Sequence, residues 1–142
     1  MSLLMGELDS IARCAAQYRS ERLAALGLKS CHASYLMGIC DCSGISQEQL
    51  ARRIYQNKSS VARQLAVLEE AGFVRRVCCD SDRRVTELYP TERAKAALPE
   101  IRQVLGQWES WVTQDLTEAE RRSLELLLGK LKARAAARMG QD

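Results

Sequence analysis

The chain has 142 residues, 46% hydrophobic and 27% charged, which is room for one globular domain and excludes wholesale disorder. Aromatic residues are 5%, with one Phe, and there are only eight Gly and two Pro, so the core is aliphatic and an all-β fold with many tight turns is excluded. Lys and Arg exceed Asp and Glu by 21 to 18, and this mild +3 by itself neither demands nor excludes nucleic acid.

From the N-terminus, Leu4, Leu8, Ile11, Ala15 and Tyr18 recur at steps of four and three over residues 3–25, which is one apolar stripe on a helix ended by Gly27. A second helix is expected from near Ser30 to Cys40, with Tyr35, Leu36 and Ile39 inward and His32 in its first turn, partly exposed. Residues 41–44 form a break. Ser46-Gln47-Glu48-Gln49 is a capping box that opens a short helix through Leu50, Ala51 and Ile54. Asn57 caps a longer helix through Val61, Leu65 and Leu68, and Gly72 supplies its left-handed C′ position. A short helix, a tight turn and a longer helix is the spacing of a helix-turn-helix.

Residues 73–79 and 84–89 are β-rich and flank the polar turn Asp80-Ser81-Asp82-Arg83, so a two-stranded hairpin, a wing, is expected. Pro90 and Thr91 end the strand and cap a helix with the stripe Ala94, Leu98, Ile101, Leu105, Trp108 and Val112. Pro99 is expected to kink or split that helix near residues 95–99. Thr117-Glu118-Ala119-Glu120 is a second capping box, opening a last helix with Leu124, Leu127, Leu128 and Leu131 on one face. The expected fold is mainly α with a small β-hairpin wing.

Charge is concentrated in the middle. Between residues 52 and 84 stand Arg52, Arg53, Lys58, Arg63, Arg75, Arg76, Arg83 and Arg84 against Glu69, Glu70, Asp80 and Asp82. That segment carries +4 and the rest of the chain −1. Cations facing a duplex release its counterions, and a helix-turn-helix puts its second helix in the major groove. Asn57, Lys58, Ser59, Ser60, Ala62 and Arg63 at the start of that helix, with Arg75 nearby, suit such contact. Arg83 and Arg84 lie at the hairpin tip, within reach of a minor groove. Asp82 beside them is placed to hold a guanidinium in a bidentate pair.

Several other classes are excluded or disfavoured. No apolar run approaches the roughly 18 residues that span a bilayer, and the start has no basic n-region, so a cytoplasmic protein with no membrane partner is expected. The six cysteines include no CxxC pair and there is one His, so neither a structural metal nor a cofactor is expected. Enzyme chemistry has no inventory: no Gly-rich phosphate loop, no GxSxG and no convergent acid pair.

The segments Leu50-Ala51-Arg52-Arg53-Ile54, Asn57-Lys58-Ser59-Ser60-Val61-Ala62-Arg63-Gln64-Leu65, Leu68-Glu69-Glu70-Ala71-Gly72-Phe73-Val74 and Asp82-Arg83-Arg84 before Leu88-Tyr89-Pro90-Thr91 resemble the MarR family of bacterial transcription regulators. The resemblance runs along essentially the whole chain, and the Asp-Arg-Arg wing is its most specific piece. It implies a single winged helix-turn-helix domain over 1–142, with the winged part at about 30–96 and dimerisation helices at about 1–28 and 98–142. It implies a homodimer reading a palindromic double-stranded operator, commonly as a repressor released by a small ligand. Tyr18, His32 and Tyr35 are candidates to line a ligand crevice. Cys14, on the first helix, is the candidate for thiol-based redox sensing, the alternative form of control. The alternative from another class is a winged helix used for protein contact without DNA.

Overall fold

The computed structural model describes residues 3–140. The expected start and end of the domain, residues 1–2 and 141–142, lie outside the described residues. The elements are α1 (Leu4–Leu23), a 3-10 turn (Ala24–Leu26), α2 (His32–Asp41), β1 (Ile45–Ser46), α3 (Gln47–Arg53), α4 (Lys58–Glu70), β2 (Val74–Cys78), β3 (Thr86–Pro90), α5 (Glu92–Val112) and α6 (Glu118–Arg138). They fall into two compact units, one up to Gly106 and one from Gln107 onward.

Local signals set most of these boundaries. Ser46 Oγ accepts from the Gln49 amide at 3.0 Å and the Gln49 side chain accepts from the Ser46 amide at 3.1 Å, so the expected capping box forms in full. Asn57 Oδ1 accepts from the Ser60 amide at 2.8 Å and starts α4. Gly27 and Gly72 take φ values of 77° and 83°, the left-handed turn that ends the 3-10 turn after α1 and ends α4. Thr117 and Glu120 repeat the capping box at α6.

Three expectations are corrected. The wing is part of a three-stranded antiparallel sheet in the order β1-β3-β2, because Ile45 pairs with Leu88 and Ser46 with Glu87. A two-residue strand has no period of its own and forms only because β3 is there to accept it. Pro90 ends β3 opposite Val74 rather than stopping short of it. Toward Pro90, the pairing with β1 ends at Leu88, so the missing Pro90 N–H deprives no partner. Pro99 does not split α5, which runs unbroken for 21 residues. Ala94, Ala97, Ile101 and Val104 are buried on one side of that helix while Pro99 faces solvent. The buried stripe outweighs the roughly 3 kcal/mol cost of an internal proline.

The core of the first unit is built from Leu23, Leu36, Ile39, Leu50, Leu65, Leu68, Phe73, Leu88 and Ile101, each 1% exposed or less. Asp41, the last residue of α2, binds Arg53 of α3 at 3.3 Å and Arg102 of α5 at 3.5 Å. One carboxylate thus joins three helices.

His32 is the other correction. It is in the first turn of α2 as expected, but it is 1% exposed rather than partly exposed. Its Nδ1 accepts from the Lys29 amide at 3.0 Å, and its Nε2 lies 2.9 Å from Gln64 Oε1 on α4. The neutral ring with hydrogen on Nε2 satisfies both partners. Burial, more than the Lys29 charge, holds the imidazole below its ordinary pKa, while the Gln64 bond opposes the shift. A depressed histidine pKa means that the unfolded chain binds the extra proton first. Stability is therefore full above about pH 6.5 and falls as the pH drops through the unfolded and then the folded pKa. The melting temperature is expected to fall between pH 7 and pH 5.5, and His32→Gln is expected to flatten that fall. Equal slopes in wild type and variant would remove His32 as the cause.

In the second unit, Arg121 of α6 donates to Glu109 of α5 at 2.8 Å. α6 has 21 residues and only Ala136 is buried. Trp111, Val112, Leu116, Leu124, Leu126, Leu127, Leu128 and Leu131 are all exposed.

Candidate nucleic-acid interface

The turn between α3 and α4 is tight. Tyr55 adopts φ 58°, the left-handed region that a non-glycine residue rarely takes, and the Gln56 amide closes back onto Ala51 O at 3.0 Å. With that geometry, α4 buries Val61, Leu65 and Leu68 on one side. Ser59, Arg63, Ala66 and Val67 are left exposed. Gln64 is turned toward His32, so that position belongs to the fold.

Lys58, in the first turn of α4, is largely exposed and its Nζ lies 3.5 Å from Glu48 of α3. Arg63 Nη2 donates to Ser60 Oγ at 3.4 Å. The mixture is one of small side chains and two cations, so the backbone can come close to a partner while charge holds it there.

The wing turn is shaped by Asp82. Its carboxylate accepts from the Arg84 amide at 3.0 Å and from Arg84 Nε and Nη2 at 3.1 and 3.3 Å. These bonds hold the Asp82 carboxyl below the usual carboxylate range. The bidentate pair foreseen from the sequence is therefore present, and Arg84 is its partner. The Arg84 side chain stays 91% exposed: oriented, but not consumed. Arg83 is exposed beside it, and its carbonyl accepts from the Cys78 thiol at 3.3 Å. A polar notch of about 240 Å³ lies between these groups, lined by Ser46, Glu48, Lys58, Arg84 and Thr86. The start of α3, the start of α4 and the turn end of the wing thus meet in one place.

A model of the family described as "MarR family" matches residues 32–86. A solved structure described as MarR is 30% identical over 99% of this chain and 96% of that one, with a TM-score of 0.87. The chain belongs to the MarR family. A crystal structure of the transcriptional regulator SlyA is 26% identical, covers 96% of both chains and has a TM-score of 0.92. An HTH-type transcriptional regulator of Bacillus subtilis, YybA, is 26% identical over 132 residues, which is 93% of this chain and 88% of that protein.

In this MarR-family chain, α3 and α4 are the helix-turn-helix and β2–β3 the wing. The remaining candidates are placed as follows. Arg75 is on β2 opposite Tyr89, its guanidinium 4.8 Å from that ring, away from the wing tip. Tyr18 lies under Arg22 at 3.7 Å. Tyr35 is 2% exposed. An open crevice of about 680 Å³ is lined by Arg19, Cys31, Met37, Tyr55 and Leu105 among others, and Tyr18, His32 and Tyr35 are not part of that lining. Cys14 is exposed on α1. Among the described residues, no three His, Cys, Asp or Glu side chains come together as a metal site, and no helix is long and apolar enough to cross a membrane.

Sequence reading missed Glu48, Ala66 and Val67. Ala66 and Val67 were accessible to it, since they fall opposite Val61, Leu65 and Leu68 on a 3.6-residue period. Glu48 was not, because its role depends on how α3 crosses α4.

Proposed function

We propose that this MarR-family DNA-binding transcription regulator works as a cytoplasmic homodimeric repressor that occupies a palindromic operator and catalyses no reaction. The observation that carries the reading is the set of exposed cations, Lys58 and Arg63 on α4 and Arg83 and Arg84 on the wing, of which Lys58 and Arg84 line one notch. In this reading Asn57, Lys58, Ser59, Ser60, Ala62 and Arg63 meet the major groove, and the wing of Asp82, Arg83 and Arg84 meets the minor groove. Residues of about 30–96 form the reading head. The helices at about 1–28 and 98–142 pair two copies, so that recognition helices fall about one DNA turn, roughly 34 Å, apart. Release by a small ligand is part of the proposal, with the crevice beside Arg19 and Tyr55 as its place.

The test is selection of duplexes from a random-sequence pool, followed by titration against salt. Several phosphate contacts predict a steep linear fall of log K with log salt, about 0.9 per contact. A flat dependence, or no selected duplex, overturns the reading. Arg83→Ala is expected to weaken binding most at sites whose flanks are A·T-rich, where a narrow minor groove draws an arginine. An equal loss at G·C-flanked sites would remove the wing from the groove.

A further inference from the structure

The C-terminal end of α4 carries the wrong charge for a helix. Its last turn holds Glu69 and Glu70 and no base, although the helix dipole favours cations there. The missing cations come from elsewhere in the chain. Arg76 of β2 donates to Glu69 Oε1 through Nε and Nη2 at 3.1 and 2.9 Å. Arg93, in the first turn of α5, donates from Nη1 to the carbonyl of Ala71, the residue that caps α4.

Arg93 is seated on several sides. Its guanidinium lies 4.4 Å from the centre of the Phe73 ring, a cation–π contact. A Cβ at Gly27 would stand 3.9 Å from Nη2, and one at Gly72 would stand 3.8 Å from Nη1. The group is therefore held between the turn that ends the first helical segment and the turn that ends α4. Two residues earlier, Thr91 Oγ1 donates to Gly72 O at 2.6 Å and accepts from the Ala94 amide at 3.3 Å, so the cap of α5 is also a tie to α4. Carbonyls that the end of a helix leaves open are thus taken up by the first turn of α5.

We propose that Arg93 is a positioning residue for DNA binding: by fixing the C-terminal end of α4 against α5, it sets the attitude at which the opposite, N-terminal end of α4 meets the duplex. Arg93 itself contacts no DNA in this scheme. The proposal rests on α4 being the helix that reads DNA.

The experiment uses the full chain and the duplex that the wild type selects from a random pool, with an unrelated duplex of equal length as control. At a temperature where circular dichroism shows it folded, Arg93→Ala is expected to bind the selected duplex about tenfold more weakly, the scale of a lost coupling between elements. Its affinity for the unrelated duplex and its salt slope should not change, and Arg93→Lys should recover part of the loss. A folded Arg93→Ala with wild-type affinity, and only a lower melting temperature, overturns the proposal. A salt slope reduced by about two also overturns it, because Arg93 of each copy would then be a phosphate contact at about 0.9 apiece. If Arg93→Ala does not fold, Arg93→Gln is read by the same criteria, since it keeps a donor for Ala71 and gives up the charge. Failure of both to fold makes Arg93 a folding residue and overturns the proposal. A wild type that selects no duplex overturns the DNA reading and this one together, whereas equal binding by wild type and variant overturns this one alone.

Discussion

Leu128→Glu is expected to turn the protein into a monomer in solution and to lower its affinity for a duplex with two half-sites by about a hundredfold to ten-thousandfold, the scale set by losing the second, linked binding event. Leu124, Leu128 and Leu131 follow one another at steps of four and three on α6, and all are exposed in the single chain. Trp111, Val112 and Leu116 add to the same unit's uncovered apolar surface. A lone exposed leucine needs no explanation, but this many on a helix with one buried residue calls for a partner. A second copy is the partner that the homodimer reading supplies. A carboxylate at position 128 would have to be buried unpaired in such an interface. Light scattering gives the mass and a titration gives the affinity. A variant that stays dimeric with unchanged affinity would remove α6 from the pairing surface.

The second large effect concerns charge. Lys58→Ala, Arg83→Ala and Arg84→Ala combined are expected to make the plot of log K against log salt shallower by about 5.4, since each copy of the dimer loses three contacts at about 0.9 each. The affinity near physiological salt should fall by at least about three orders of magnitude, if each contact is worth a charge-assisted bond of about 1.5–3 kcal/mol. The fold should survive, because Lys58 and Arg84 are highly exposed and surface ion pairs contribute about 0–1 kcal/mol each. An unchanged salt slope would show that these three side chains do not meet phosphate.

The parts of this fold that are written locally are the parts that sequence reading finds. Ser46 with Gln49, Asn57, Gly72 and Thr117 each announce a helix end through their own side chain or backbone freedom, and each does so in the structure. The Asp82–Arg84 pair is legible for the same reason, since its members are two residues apart. What fails is whatever depends on a distant partner. Pro99 reads as a break until the buried face around Ile101 is known. β1 is invisible without β3. His32 reads as a partly exposed histidine because Gln64, which completes its environment, stands 32 positions later. Glu48 with Lys58, and Asp41 with Arg53 and Arg102, belong to the same class.

The bond between His32 and Gln64 has an evolutionary consequence. Changing either residue alone leaves a buried polar group without its bond, at about 1–3 kcal/mol, whereas replacing both together can be nearly neutral. Positions 32 and 64 are therefore expected to covary among homologues. Ser59, Arg63, Ala66 and Val67, on the other face of the same helix, carry no such obligation. The helix can acquire a new target sequence through one face while its inherited lock on the fold stays untouched.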